Sequence, residues 1–210
     1  MKTGKFITIE GCEGVGKSTQ IELLKKCCIE NNIDALFTRE PGGTPIAEKI
    51  RQVILDTANE GMENLTELLL YCACRVEHTK KIILPALKNG KIIFCDRYSD
   101  STLAYQAYAG GLDIELVKKI NELSACGVKI DCTIFLDVEP LEGFKRIANR
   151  GQADRMEGKG LDFHKKVYKG FLDIAKNNPD RVVKVSSYDR IYETHEEIVK
   201  VLKERGLLFK

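Results

Sequence analysis

The chain has 210 residues, 43% hydrophobic and 30% charged, a length and balance suited to one globular domain spanning 1–210. With 33 Lys and Arg against 31 Asp and Glu, the formal net charge is only +2, so nothing points to a nucleic acid or another polyanion as partner. The longest apolar run, Leu68–Cys74, is far short of the about 20 residues that cross a bilayer, and the chain reads as a cytoplasmic protein without a membrane partner.

Short apolar runs alternate with longer amphipathic ones, the pattern of an α/β fold with a parallel sheet flanked by helices. The first predicted strand, Lys5–Glu10, leads into a helix over Ser18–Glu30, and a second strand covers Ala35–Thr38. A helix over Pro45–Leu55 starts with proline at a favourable first position. The next helix, Asn64–Lys80, carries Leu65, Leu68, Leu69, Cys72 and Val76 on one stripe. Ile82–Lys88 follows, and Pro85 within it predicts a kink or a break. The strand Lys91–Asp96 comes next, then helices over Ser99–Tyr108 and Asp113–Ala125. Strand Thr133–Val138, helices Leu141–Asn149 and Asp162–Lys176, strand Arg181–Ser186 and helix Tyr192–Arg205 complete the series.

Two segments are too polar and glycine-rich for core. Arg39–Thr44, with Pro41-Gly42-Gly43, and Arg150–Gly160 both read as mobile loops able to close over a ligand, the second as part of a lid within 146–160. The eight cysteines form no CxxC pair, and they read as small buried hydrophobes kept reduced. Cys12 is the exception, because its place in a phosphate loop predicts partial access to thiol reagents.

That loop is the strongest local signal. Gly11-Cys12-Glu13-Gly14-Val15-Gly16-Lys17-Ser18 fits G-x-x-x-x-G-K-[ST], follows a strand and opens a helix. Glycines at 11, 14 and 16 let backbone N–H groups, with those of Val15, Ser18 and Thr19, converge on phosphate oxygens at a helix N-terminus. Lys17 would reach the β- and γ-phosphates of ATP, and the Ser18 hydroxyl would ligate Mg²⁺. No Asn-Lys-x-Asp follows, which counts against a GTPase. Asp96-Arg97 at the end of the third strand adds a carboxylate suited to Mg²⁺ and a guanidinium suited to a phosphate.

Asp96-Arg97-Tyr98-Ser99-Asp100-Ser101-Thr102-Leu103-Ala104-Tyr105-Gln106 resembles the thymidylate kinase signature D-R-[YFH]-x-x-S-[TN]-x-A-Y. The resemblance continues in the first strand and loop (FITIEGCEGVGKST), in Thr38–Thr44 (TREPGGT), in Leu69–Arg75 (LLYCACR), in IFLDVEP and in RIANRGQADRME. It implies a five-stranded parallel sheet in the order 2-3-1-4-5, transfer of the γ-phosphoryl group of ATP to dTMP, Mg²⁺ as cofactor and a homodimer. By the same resemblance Arg97 holds the dTMP phosphate with Arg39 nearby, Tyr71 stacks on thymine, and Arg75 bonds its O4. Ser101, Thr102 and Gln106 belong to the same acceptor site, the last two reading the other base edge; Glu13 accepts from the sugar 3′-OH and Tyr105 crowds the 2′ position. Relatives of the eukaryotic sort carry an arginine inside the phosphate loop, which is absent here; Arg146, Arg150 and Arg155 cluster at the lid instead. Lys17, Arg97, Arg150 and Arg155 therefore form the expected catalytic set, with Ser18 and Asp96 at the metal. The residues by themselves also allow a P-loop kinase for another nucleoside or monophosphate, or a non-catalytic ATP-binding regulatory module.

Overall fold

The computed structural model describes residues 4–148, 154–187 and 190–208. Five parallel strands form one sheet: β1 (Lys5–Glu10), β2 (Ala35–Arg39), β3 (Ile92–Asp96), β4 (Cys132–Asp137) and β5 (Val182–Ser186), in the spatial order β2-β3-β1-β4-β5. The strands are short and apolar because both faces are covered. Along β1, Phe6 joins a small cluster with Ile83, Ile93, Cys95 and Tyr98, while Ile7 and Ile9 join the large core that contains Phe94, Phe135 and Phe171. Ile7 pairs with Phe94 on one side and Cys132 on the other, so β1 is central and its carboxyl end lies at the point where the chain switches direction across the sheet. Ligand clefts in open α/β sheets form there.

The helices are α1 (Lys17–Glu30), α2 (Pro45–Leu55), α3 (Asn64–His78), α4 (Leu84–Lys88), α5 (Ser99–Thr102), α6 (Ile114–Ser124), α7 (Pro140–Ile147), α8 (Leu161–Asn177) and α9 (Ile191–Glu204). Most ends fall within two residues of the sequence reading, the ordinary scatter of helix and strand termini. Pro45 opens α2 as expected, with the Thr44 hydroxyl accepting from Ala47 N at 3.1 Å.

Pro85 does not break its helix. From α3 the chain runs through a π-helical turn, Thr79–Ile83, directly into α4. Proline lacks an N–H and its ring collides with the carbonyl four residues back, and a widened turn just before it relieves both. The helix predicted over Ser99–Tyr108 is likewise only α-helical through Thr102, and Leu103–Ala109 winds as a π-helix. The stripe on α3 is split: Leu68 and Cys72 are buried, whereas Leu65, Leu69 and Val76 are 47%, 51% and 36% exposed. The sequence period marks an apolar stripe without saying which edge meets the core.

Arg39–Thr44 is tied down, contrary to its reading as a mobile loop. Gly42 N donates to Cys74 Sγ at 3.0 Å, Gly43 N to Glu48 Oε1 at 2.9 Å, and Arg51 Nη1 to Pro41 O at 2.8 Å. Of the lid, Arg150 lies outside the described residues. Residues 154–160 form a compact turn, in which Asp154 Oδ1 accepts from Met156 N and Glu157 N, both at 2.9 Å.

One close approach joins the phosphate loop to α7. A β-carbon on Gly14 would overlap the Gly143 carbonyl oxygen, and one on Gly143 would overlap the Glu13 carbonyl oxygen. Helix propensity alone favours Gly143→Ala by about 1 kcal/mol. The overlap is with backbone, which cannot rotate away, so we expect a net destabilisation of about 1–3 kcal/mol in urea unfolding. A stabilised variant would contradict this close contact.

Candidate active site

The site is built at the carboxyl end of β1. Gly11, Gly14 and Gly16 all have positive φ (146°, 70° and 96°), the conformations that turn successive N–H groups inward, and Gly16 caps α1. Lys17 folds back onto its own loop, with Nζ donating to Cys12 O at 2.8 Å and Gly11 O at 3.2 Å. Burial, and then the charge of Arg97, pull the Lys17 pKa below its ordinary value. Cys12 is buried, and burial pushes its thiol up to about 12. Partial access to thiol reagents is therefore not found: the side chain turns into the core while its carbonyl serves the lysine.

Arg97 lies at the junction of two half-sites. It is a non-glycine residue in the left-handed region (φ 65°), a conformation that costs on the order of 1 kcal/mol. Three bonds hold the turn: Arg97 N to Ile9 O at 3.1 Å, Tyr98 N to Glu10 Oε1 at 2.7 Å, and Ser101 Oγ to Glu10 Oε2 at 2.5 Å. The guanidinium donates to Gly11 O at 2.7 Å and to Glu13 Oε1 at 2.6 Å, and sits 5.2 Å from the Tyr105 ring centroid. Tyr105 Oη donates to the same Glu13 oxygen at 2.9 Å. Burial alone would raise the Glu13 carboxyl, but Arg97 and Lys17 outweigh it and hold it down to about 2.

A single cleft is lined by Glu13–Thr19, Arg39 and Asp96 at the phosphate end and by Tyr71, Arg75, Arg97, Ser101, Thr102, Tyr105 and Gln106 at the other. Both expected half-sites thus share one cavity. Tyr71 and Arg75, one turn apart on α3, both line it. Ser101 and Thr102 at the end of α5 and Tyr105 and Gln106 in the π-helical segment that follows line the cleft together. Arg75 is 1% exposed, and its nitrogens donate to Glu40 at 2.9 Å, Asn121 at 2.7 Å and Thr102 at 2.8 Å. Gln106 donates its amide N–H to Glu67 at 2.9 Å. Arg39 is paired with both carboxylate oxygens of Glu48, each at 2.9 Å.

Asp96 and Ser18 fit a cation site. Asp96 Oδ1 is buried without a hydrogen-bond partner among the described residues, and both side chains line the cleft beside the phosphate loop. No group of three or more His, Cys, Asp or Glu among the described residues could hold a metal unaided. That suits an ion completed by phosphate oxygens and water, as Mg²⁺ is bound in nucleotide enzymes.

Arg155 is held inside the protein at the edge of the lid segment. It is 4% exposed, with Nε donating to Ile54 O at 2.6 Å and Nη2 at 2.6 Å from Glu67 Oε2. It does not line the cleft, whereas its neighbours Asp154, Met156 and Glu157 do. Arg146 sits in the last turn of α7 and does not line the cleft. A charge-bearing lid arginine looks the same in sequence as one that anchors the lid, since both sit in a polar, glycine-bounded segment.

Several residues of the site were not singled out by sequence. Glu10, Glu40 and Glu67 are all buried carboxylates behind the arginines and the glutamine. Glu10 closes an apolar strand and Glu67 lies one turn before Tyr71, positions that could have flagged them. Ser187, whose hydroxyl donates to Val15 O at 2.9 Å, ties the β5–α9 connection to the phosphate loop and carries no motif.

Comparison with known proteins agrees with this arrangement. The thymidylate kinase family model matches residues 9–198. The chain is 44% identical to the thymidylate kinase of Clostridium novyi, over 97% of this chain and 100% of that one. It is 45% identical to that of Finegoldia magna, again over 97% and 100%. The crystal structure of the Ehrlichia chaffeensis thymidylate kinase superposes with a TM-score of 0.77 at 38% identity, covering 96% of this chain and 99% of that one.

The Glu10 carboxyl gives a pH test of the turn that holds Arg97. Burial first, and Asp100 second, push it up to about 8 against the Ser101 hydrogen bond. In the unfolded chain it releases its proton near about 4.3. Its contribution to stability is therefore complete below about 4.3 and is lost as the pH rises towards about 8. Glu10→Gln cannot ionise, so urea titrations should show the variant gaining on the parent between about pH 5 and pH 8. A difference independent of pH would contradict this environment for Glu10.

Proposed function

The chain belongs to the thymidylate kinase family and phosphorylates dTMP to dTDP; on that premise we propose how the cleft residues divide the work. The observation that carries the proposal is that one cleft is lined both by a phosphate loop and by Arg97, Tyr71, Arg75, Thr102 and Gln106. ATP lays its phosphates along the N–H groups of Gly11–Thr19. Lys17, now on Gly11 O and Cys12 O, exchanges those carbonyls for β- and γ-phosphate oxygens. Ser18 and Asp96 would hold Mg²⁺, which would supply positive charge to neutralise the phosphate oxygens.

Arg97 takes the dTMP phosphate, with Arg39 at the same end of the cleft. Its remaining N–H groups face the acceptor while the bonds to Gly11 O and Glu13 keep its plane fixed. The phosphate oxygen is already anionic, so no general base is needed, and catalysis rests on positioning and charge. Because Glu67 holds the Gln106 amide N–H, the Gln106 carbonyl oxygen is left to accept from the thymine N3–H. Arg75 donates to O4, Tyr71 covers the ring, Glu13 accepts from the 3′-OH, and Tyr105 leaves no room for a 2′ hydroxyl. Arg150 and Arg155 are the lid residues proposed to supply charge to the migrating group, Arg155 by leaving its Glu67 partner.

We also propose a homodimer and a cytoplasmic enzyme. Ile46 and Val53 on α2, Leu65, Leu69 and Val76 on α3 and Leu116 on α6 are all at least 36% exposed, and α3 packs against both other helices. A second copy of the chain covers this face. Among the described residues no helix is long and apolar enough to cross a membrane, and all eight cysteines are free thiols, as in a reducing compartment.

A coupled assay with ATP and a panel of monophosphates tests the base assignment. We expect dTMP first, dUMP weaker because a buried methyl contributes about 1 kcal/mol, and dCMP negligible because its N3 cannot donate to Gln106. Arg97→Ala should weaken dTMP by roughly ten- to a hundredfold, since charge-assisted bonds contribute about 1.5–3 kcal/mol each, and should weaken thymidine far less. Equal losses for both ligands would make Arg97 a purely structural residue.

A further inference from the structure

Behind the base recess a chain of buried polar groups runs from β2 to α3. His78, fully buried, lies one turn after Arg75 on α3. Its Nε2 is 2.7 Å from Thr38 Oγ1 and its Nδ1 is 2.9 Å from Glu40 Oε1. The other Glu40 oxygen accepts from Arg75 Nε at 2.9 Å. A carboxylate can only accept, so Nδ1 carries a proton and donates to Glu40, while Nε2 is bonded to the Thr38 hydroxyl. Both ends of the imidazole are thereby fixed. The ring also packs on the backbone at Gly43 (φ 89°), where a β-carbon would come within 2.6 Å of His78 Cδ2.

We propose that His78 is a positioning residue for base recognition, acting through Glu40 to fix the plane of Arg75 against the thymine. The inference rests on the reading that Arg75 faces the base. Its physical content lies in how Glu40 divides its two oxygens. With His78 on Oε1, only Oε2 is available to Arg75, so the carboxylate meets Nε alone and Nη1 and Nη2 stay on Asn121 and Thr102. Without a donor on Oε1, a buried carboxylate turns to take both oxygens onto the guanidinium, the favoured bidentate geometry. That rotation pulls Arg75 off Thr102 and off the angle at which it meets a base. His78 touches no substrate, so the effect falls on dTMP binding and leaves the transfer step alone.

Two substitutions separate the two ends of the ring. His78→Asn keeps a donor where Nδ1 stands and loses the Thr38 partner, whereas His78→Gln keeps a group near Nε2 and loses the donor to Glu40. We expect His78→Gln to weaken dTMP about five- to tenfold by calorimetry, with turnover at saturating dTMP within about twofold of the parent. His78→Asn should recover dTMP affinity to within about twofold. Equal effects of the two variants, or a loss confined to His78→Asn, would overturn the proposal. Should His78→Gln not fold, His78→Leu also removes the donor to Glu40, and an unchanged dTMP affinity there would overturn the proposal equally; Thr38→Val, which leaves that donor in place, should bind dTMP within about twofold of the parent. Arg75→Lys distinguishes failure of the underlying reading: if it leaves dTMP affinity unchanged, Arg75 does not face the base, whatever His78 does.

Discussion

The ion pair between Glu13 and Arg97 is the constraint on which the rest of the site depends. Glu13 belongs to the phosphate loop and Arg97 to the turn after β3, so the 2.6 Å contact fixes the donor half of the cleft against the acceptor half. Tyr105 closes the triangle, donating to the same carboxylate oxygen from the π-helical segment that also carries Gln106. Phosphoryl transfer has little covalent chemistry for a protein to supply, and rate comes from holding two anionic groups in line. A pair that is largely screened from water, with side chains 16% and 21% exposed, is suited to that task.

Buried carboxylates repeat the device at each part of the acceptor site. Glu10 holds the turn that gives Arg97 its left-handed conformation, Glu40 carries Arg75, and Glu67 holds Gln106 together with Arg155 and Lys159. Burying a charge is costly unless it is paired and hydrogen-bonded, as Glu40 is by Arg75 and Glu67 by Arg155 and Lys159, whereas burial pushes the Glu10 carboxyl up to about 8 and leaves it largely neutral. Glu67 also joins the base recess to the lid segment, because Arg155 precedes and Lys159 ends the 3₁₀ turn Glu157–Lys159, whose Glu157 lines the cleft. The cleft is therefore preorganised by buried carboxyl groups that hold Arg75, Gln106 and the turn at Arg97.

Much of this was legible in sequence, and the failures have common causes. The phosphate loop is read reliably because its backbone demands glycine at particular places, and the strands because burial on both faces leaves near-continuous apolar runs. The strand order came only with the family resemblance, since pairing is not encoded in any single segment. Local patterns failed where tertiary contact decides. Cys12 packs into the core while its carbonyl accepts from Lys17, and nothing in the loop motif itself says so. The Arg39–Thr44 segment looked loose by composition and is pinned by Glu48, Cys74 and Arg51, all distant in pattern if not in chain. The two π-helical segments escape a reading based on a period of 3.6, although Pro85 marked the neighbourhood of one.

The central claim is that Glu13 and Arg97 act as one unit linking the two half-sites, and a double-mutant cycle tests it directly. The quantity to measure is kcat/KM for dTMP in the parent, Glu13→Gln, Arg97→Lys and the double variant. The account predicts strong non-additivity, with a coupling of at least about 1 kcal/mol and a double variant little worse than the poorer single one. Losses that simply add would mean that the two side chains serve their substrates independently, and the account would be wrong.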